Sequence, residues 1–459
     1  MSADIRAGVL VVGGGPGGYV AALRAATLGA DVVLVEADQI GGVCLNEGCI
    51  PSKILLHAVE SLASVTSAPW VVGGESLELD HGGLQAFKDA TTSTLRTGVG
   101  QLLSARGVRV LSGVARFTDD HVVQVADGDG EKRVEFDSAV VATGSRPVEL
   151  SHLPFDGTRV VHAAHVLSWG HTPRSVVLLG GGAIGVELAT YLSGAGCAVT
   201  LVEAQAGLLA GFDPQVSRHV VDGLQARGVD IRTGATALGD DGECVTVRDA
   251  AGNEERVRAD HVVVAVGRVP TLPDFGPLTP GTGDRGHLRV DRSLRTSISH
   301  VLAIGDVTEG PALAHRASAQ GKVAGANVAG GDDVFEPWCI PSVVYGTPEL
   351  ARVGLRVEEA EALGHAVDTR RFSLRANGRA LGLAAQGEGL CLFDPDSGRV
   401  LGYELAGPGA GEVVAGLGIA IELGAVVQDL ADIVLPHPSI AEVTGELADL
   451  ALGLGVHGR

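Results

Sequence analysis

An apolar strand, a glycine-rich loop and a helical pattern occur twice in this chain at matching spacing, which restricts it to folds built on two parallel α/β modules. Val9-Leu10-Val11-Val12 runs into Gly13-Gly14-Gly15-Pro16-Gly17-Gly18, then an alanine-rich helical stretch, then Val32-Val33-Leu34-Val35 ending at Glu36. The figure returns as Val176-Val177-Leu178-Leu179, Gly180-Gly181-Gly182-Ala183-Ile184-Gly185 and Val199-Thr200-Leu201-Val202-Glu203, and the acid again stands 23 positions beyond the first glycine. A lone glycine loop is weak; one that follows a strand, opens a helix and has its acid at this distance reads as a dinucleotide site. Glycines let the backbone approach a pyrophosphate at a helix N-terminus, where unpaired N–H groups favour anions. Gly13, Gly15, Gly18 and Glu36, and Gly180, Gly182, Ile184, Gly185 and Glu203, are therefore candidate contacts. The alternative is close helix-to-strand packing with no ligand.

Each module closes on a related signal, residues 140–147 (Val-Val-Ala-Thr-Gly-Ser-Arg-Pro) and residues 262–270 (Val-Val-Val-Ala-Val-Gly-Arg-Val-Pro). Both read as buried strands ending at a glycine beside the nucleotide. A third strand, Leu302-Ala303-Ile304, brings Asp306 to its end and is followed by Leu313-Ala314-His315; an acceptor there suits a polyol hydroxyl. At 459 residues two to four domains are expected. From Phe335 onward short β-branched stretches alternate with helical ones. The expected division is 1–148 and 149–270 for the two modules, 271–335 for a central piece completing the first site, and 336–459 for a separate α+β domain.

Just after the first module lies Gly41-Gly42-Val43-Cys44-Leu45-Asn46-Glu47-Gly48-Cys49-Ile50-Pro51-Ser52-Lys53. Two cysteines five apart on an undistorted helix have Cα atoms about 8.6 Å apart, beyond the roughly 4.4 to 6.8 Å usual for a disulfide. A bridge needs a bent helix start, for which Gly48 and Pro51 supply the backbone. The alternative is two small buried hydrophobes. Cys197, Cys244, Cys339 and Cys391 are scattered singly, without metal-ligand spacing, and no metal site is expected. Lysine is scarce, four residues against thirty arginines, so Lys53 stands out.

A net charge of -21 argues against nucleic acid or an anionic membrane surface as partner. With no charged and apolar leader pattern and no run of about 20 apolar residues, a cytoplasmic protein is expected. A dithiol in a reducing compartment is more often catalytic than structural. Far along the chain, Leu435-Pro436-His437-Pro438-Ser439-Ile440-Ala441-Glu442 holds a histidine between two prolines. Unperturbed histidine titrates near pH 6.5 and suits proton exchange with a thiol. Glu442 either orients that ring or closes a capping box from Ser439. The two roles are expected to compete, with the histidine partner favoured.

Together these segments, spanning Val9 to Glu442, closely resemble the flavin-dependent pyridine nucleotide-disulfide oxidoreductases and, among them, the dihydrolipoamide dehydrogenases. The resemblance implies that the first module binds FAD and the second NAD. Glu36 would hold the adenosine ribose and Asp306 the ribityl chain, with Gly113, Thr143, Gly144, Ser145, Leu313, Ala314 and His315 around FAD and Gly267 by the second module. Dihydrolipoamide would attack a Cys44–Cys49 disulfide, with Cys44 as interchange thiol and His437 as base. Cys49 would pass the electron pair to FAD and NAD+ would take a hydride from it. Lys53, paired with Glu187, would stand near flavin N5. Family members are homodimers in which the histidine serves the other subunit's cysteines, and their substrate is carried by a 2-oxoacid dehydrogenase complex.

Glu203 accepts from a ribose 2′-hydroxyl and repels a 2′-phosphate, and no arginine follows until Arg218, so NAD is expected over NADP. The family pattern has a second histidine where this chain has Leu435, Pro436 where a small residue is usual, and an acidic run where it has Ala317-Ser318-Ala319-Gln320. Those departures bear on the thiol substrate and the docking partner. The runner-up is an NAD(P)H-dependent reductase of another low-molecular-weight disulfide. A mercuric reductase is disfavoured because no cysteine follows Cys391, and a flavin oxidase or transhydrogenase would not need Cys44, Cys49 and His437. A non-catalytic FAD-binding scaffold subunit is the alternative of another class.

Overall fold

The computed structural model describes residues 5–128 and 130–457. The chain divides into two compact units: residues 1–55, 80–148 and 267–336 form one, and residues 56–79, 149–266 and 337–459 the other.

The first unit is organised on a seven-stranded sheet. Its parallel part runs Arg109–Ser112, Val32–Glu36, Ile5–Val12, Glu131–Val141 and Val301–Ala303. The long strand Glu131–Val141 also pairs antiparallel with Val122–Ala126, which in turn pairs with Val114–Asp119. Val32–Glu36 and Val301–Ala303 read as continuous apolar runs and are buried along nearly their whole length, as strands covered on both faces are. Helix Pro16–Thr27 lies against Ala314–Val328 at close range: a Cβ at Gly321 would lie 2.4 Å from Gly17 O, and one at Gly325 2.5 Å from Ala21 O. This parallel arrangement puts Gly13, Glu36, Gly113, Thr143 and Asp306 at or just beyond the C-terminal ends of five strands, the edge where open α/β sheets bind ligands.

The second unit contains a parallel sheet of Asp230–Thr233, Ala198–Glu203, Ser175–Leu179, His261–Val264 and Val160–His162. A five-stranded antiparallel sheet follows in the C-terminal part, in the order Ser342–Val344, Leu350–Gly354, Val400–Ala406, Glu388–Phe393, Asp368–Ser373. Helices Ala410–Glu422 and Val443–Ala451 cover it, giving a core around Phe372, Tyr403, Leu405, Val414 and Leu447. Among the described residues no helix is long and apolar enough to cross a membrane.

Polar groups join the C-terminal sheet of this unit to the N-cap, Asp213, of helix Pro214–Ala226. Arg371 bridges Asp213 and Glu388 at 2.7 Å each, and buried Glu404 accepts the Asp213 N–H at 2.8 Å. Burial pushes the Glu404 carboxyl up to about 7, despite that N–H and the nearby Arg352 and Arg371. Its folded pKa therefore lies above its unfolded one, so its contribution is complete below about pH 4 and is lost as pH rises through 7. Glu404→Gln keeps an acceptor for Asp213 and removes the ionisation. Between pH 5 and pH 8 the wild type should lose of the order of 2 kcal/mol more stability than the variant. Parallel calorimetric unfolding curves for the two proteins at both pH values would rule this out.

Candidate active site

The two glycine loops are built alike. Gly13 and Gly180 have φ of +102° and +107°, and a Cβ on either would stand 2.3 or 2.5 Å from a carbonyl oxygen of the crossing strand, Ala142 O or Ala265 O. Gly18 and Gly185 bring the helix onto the loop, with a Cβ only 1.8 Å from Gly13 O or Gly180 O. The middle glycines differ. A Cβ on Gly182 would meet nothing within 4 Å, and one on Gly15 only Gly42 Cα at 4.0 Å. Internal packing thus explains the outer glycines but not the middle ones, whose missing side chain leaves a cradle for a ligand. Each middle glycine is also the N-cap of its helix and offers no capping side chain, which leaves first-turn N–H groups for an anion. The residues fit a dinucleotide in both modules.

Glu36 and Glu203 repeat each other as well. One carboxylate oxygen accepts from the second loop glycine, Gly14 or Gly181, at 2.6 Å, and the other from the residue two beyond, Asp38 at 2.9 Å or Gln205 at 2.7 Å. Ile184, on the first turn of the second loop helix, is 37% exposed at that edge.

The dithiol segment is fastened to the first loop. Gly41 N–H donates to Gly14 O at 2.9 Å, and Gly42 faces Gly15 so closely that a Cβ would lie 2.7 Å from Gly15 Cα. Asn46, to which sequence reasoning assigned no role, donates to Gly42 O at 3.0 Å and Ile40 O at 3.2 Å while accepting from Arg96 at 3.2 Å. The helix breaks at Gly48, between Gly42–Glu47 and Cys49–Thr66. A Cβ at Gly48 would come within 3.0 Å of Val43 O and 3.3 Å of Cys44 Cα, so the bend that brings Cys49 back over Cys44 has no room for a larger residue.

Cys44 and Cys49 are thiols in mutual hydrogen-bond contact. The bond to Cys49, burial and the neighbouring sulfur's charge hold the Cys44 thiol far above its usual value, while the Cys49 N–H and the Lys53 ammonium one turn on draw it down. Two sulfurs in hydrogen-bond contact are equipped to form and break a disulfide. At the same sheet edge, Thr143 Oγ donates to Thr271 O at 2.5 Å, Thr271 N–H donates to Gly144 O at 2.9 Å, and Ser145 Oγ donates to Asp306 Oδ2 at 2.5 Å. Asp306 sits in the turn Gly305–Val307, with Leu313 as N-cap of the helix that starts at Ala314 and His315.

In the second unit, Glu187 is buried on helix Ala183–Gly194 and accepts the Tyr345 N–H at 3.1 Å. Lys53 and Glu187 belong to different units. Also in the second unit, His437 Nδ1 pairs with Glu442 Oε1 at 2.8 Å, while Glu442 Oε2 accepts the Ser439 N–H at 2.7 Å. The capping box does not form: the helix begins only at Val443 with Glu442 itself as N-cap, and Ser439 Oγ has no partner among the described residues, so the carboxylate holds the Ser439 N–H with one oxygen and the histidine with the other. The Ser439 N–H first, and then His437, hold the Glu442 carboxyl below the usual carboxylate range. With Nδ1 engaged, Nε2 is the histidine nitrogen left for chemistry, and its side chain is 79% exposed. Among the described residues no group of three or more His, Cys, Asp or Glu side chains could hold a metal.

Comparison with known proteins matches this construction. The pyridine nucleotide-disulphide oxidoreductase family model covers residues 7–321, and the dimerisation domain of the same family covers 340–448. The dihydrolipoyl dehydrogenase of Geobacillus stearothermophilus is 39% identical over 461 residues, 99% of this chain and 98% of that protein. That of Haloferax volcanii is 39% identical over 467 residues, with the same coverage. Among solved structures, LpdA from Mycobacterium tuberculosis superposes with a TM-score of 0.88 at 25% identity, covering 97% of this chain and 99% of that one. The HOCl-induced flavoprotein disulfide reductase RclA from Escherichia coli gives 0.84 at 25% identity, with 96% and 99% covered.

Proposed function

Since the chain belongs to the pyridine nucleotide-disulphide oxidoreductases, we propose that it oxidises dihydrolipoamide to lipoamide with NAD+, through a Cys44–Cys49 disulfide and FAD. The observation that carries this reading is the mutual contact of the two thiols on a segment bolted to the first glycine loop. Full-length likeness to dihydrolipoyl dehydrogenases favours the substrate.

The first module, residues 1–148 completed by 271–335, holds FAD in this reading. Gly13, Gly15 and Gly18 admit its pyrophosphate, Glu36 takes the adenosine ribose, and Asp306 takes the ribityl chain. Gly113, Thr143, Gly144, Ala314 and His315 line the site. The second module holds NAD at Gly180, Gly182, Ile184 and Gly185; Gly267, expected beside it, stands where the chain returns to the first unit. Glu203 selects it over NADP, since a carboxylate repels a 2′-phosphate. Bound FAD supplies a two-electron carrier between the dithiol and NAD+.

The chain's own residues perform the thiol chemistry. A substrate thiol loses its proton to His437 Nε2 and its sulfur attacks Cys44 Sγ; the Cys44–Cys49 bond breaks and Cys49 leaves as thiolate. The second substrate sulfur then attacks the first as its proton passes to the departing Cys44 sulfur, closing lipoamide and releasing Cys44 as a thiol. The disulfide has gained two electrons and the substrate has lost two. Glu442 keeps His437 turned with Nε2 outward, and Lys53 sets a positive charge beside the flavin ring. Residues 336–459 form the interface of a homodimer in which His437 serves the cysteines of a second copy. The substrate is presented on the lipoyl carrier of a 2-oxoacid dehydrogenase complex in the cytoplasm.

The test is steady-state NAD+ reduction by purified protein with free dihydrolipoamide. Rapid turnover is expected. A protein whose dithiol is oxidised and reduced but which never turns over dihydrolipoamide would instead be a reductase of another small disulfide, with Leu435 and Pro436 as the first residues to revert.

The glycine geometry makes its own prediction. Gly182→Ala should weaken NAD+ binding about 10-fold or more while leaving the melting temperature unchanged, because its Cβ meets no protein atom within 4 Å and would stand in the cradle left for the pyrophosphate. Gly185→Ala should destabilise by about 1 to 3 kcal/mol, because its Cβ falls on Gly180 O. Calorimetric titration and thermal unfolding of both variants check this, and equal effects on affinity and stability would contradict it.

A further inference from the structure

We propose that Arg268 is a positioning residue of the first nucleotide site: through the Ser145 hydroxyl it fixes which oxygen of Asp306 is presented to bound FAD. The inference rests on the FAD reading of that site.

Arg268 opens the short strand Arg268–Pro270, which pairs antiparallel with Ser145–Pro147, with Arg268 opposite Pro147 and Pro270 opposite Ser145. Its Nε donates to Ser145 Oγ at 2.7 Å and its Nη2 to the Ser145 carbonyl. Ser145 Oγ in turn stands 2.5 Å from Asp306 Oδ2. The polarity of this relay is forced. A guanidinium only donates, so the serine oxygen must accept from Arg268, and its single hydrogen has one place to go, the Asp306 carboxylate. One lone pair of Oδ2 is thereby taken and its direction fixed, so Oδ1, with both lone pairs open, is the oxygen turned to a ribityl hydroxyl.

The turn bearing Asp306 is clamped from its other side too. Gly305 N–H donates to the buried Gln320 Oε1 at 2.8 Å, and Thr308 Oγ donates to Gly305 O at 2.8 Å. A second arginine, the buried Arg316, reaches Thr308 Oγ at 3.1 Å, Pro311 O at 3.3 Å and the Glu309 carbonyl. Burial acts against the charge of both arginines, and the Asp306 carboxylate acts for it. A serine tied on two sides and a carboxylate tied on one leave a single geometry at this strand end. That is the condition under which an acceptor binds without first having to be ordered. Gln320, within the stretch where the chain departs from its family's acidic pattern, is part of the same support.

The experiment uses full-length protein stripped of FAD and titrated with FAD while flavin fluorescence is followed, alongside thermal unfolding of the stripped protein. The variants are Arg268→Met, Ser145→Ala and the two combined. Each single variant should bind FAD about 10- to 100-fold more weakly, the range for loss of a hydrogen bond to a charged group. The double variant should be no weaker than the worse single one, because both act through the same oxygen, and the melting temperature of the stripped protein should hold. Wild-type affinity in Arg268→Met, multiplicative losses in the double variant, or melting temperatures that fall in step with affinity would each overturn the relay. If Arg268→Met does not fold, Ser145→Ala still decides the matter, since it breaks the relay without removing a charge. Failure of the stripped wild type to bind FAD would sink the FAD reading itself, a result distinct from all of these.

Discussion

Cys49→Ser should abolish NAD+ reduction by dihydrolipoamide, by more than about three orders of magnitude, in a protein that still folds. A serine oxygen cannot form the bond to Cys44 that stores the electron pair, so the loss falls on the chemical step. Stability should hardly change. Cys49 is exposed and stands at the first position of helix Cys49–Thr66, and exposed substitutions away from packed features cost about 0.5 kcal/mol or less. The variant also frees Cys44 from its sulfur partner, whose hydrogen bond is the largest influence holding its thiol up. Cys44 should then react with iodoacetamide at lower pH than in the reduced wild type. Full turnover by Cys49→Ser would mean the disulfide takes no part in the reaction.

His437→Gln is expected to lower kcat/KM by about 10² to 10⁴, the usual contribution of a positioned general base. An amide occupies nearly the same space and can still meet Glu442 Oε1, the partner 2.8 Å from Nδ1, so the helix beginning at Val443 keeps its support. What disappears is the nitrogen that takes the proton, and with it the limb of the pH profile that belongs to the base. Glu442→Gln should lie between wild type and His437→Gln, since it removes the ring's charge partner and leaves the ring. Measured kcat/KM from pH 5 to 9 for the three proteins checks this order. A His437→Gln enzyme with the wild-type profile would end the assignment.

Sequence alone determined the parts of this protein whose causes are local. Each glycine loop, its strand and its helix lie within some thirty residues, and the steric reasons for Gly18 and Gly185 act inside that span, whereas Gly13 and Gly180 are hemmed in by Ala142 and Ala265, far along the chain. The bend at Gly48 between the cysteines is local for the same reason. The tertiary structure decided whatever joins distant strand ends. Gly113, Thr143 and Asp306 reach one edge because the parallel sheet orders five strands drawn from residues 5 to 303, an order that apolar periodicity does not encode. Arg268 looks in the sequence like a residue closing the second module, yet the chain has already returned to the first unit at Gly267, and its guanidinium serves Ser145. The second module and the C-terminal sheet, read from sequence as separate pieces, share one compact unit with residues 56–79. Charges at positions 213, 371, 388 and 404 join its C-terminal sheet to the start of helix Pro214–Ala226, and their sequence separation hides them. Glu442 shows the same division within one side chain: the sequence supplied both partners, but only the folded loop, where each oxygen meets its own, let the residue serve both.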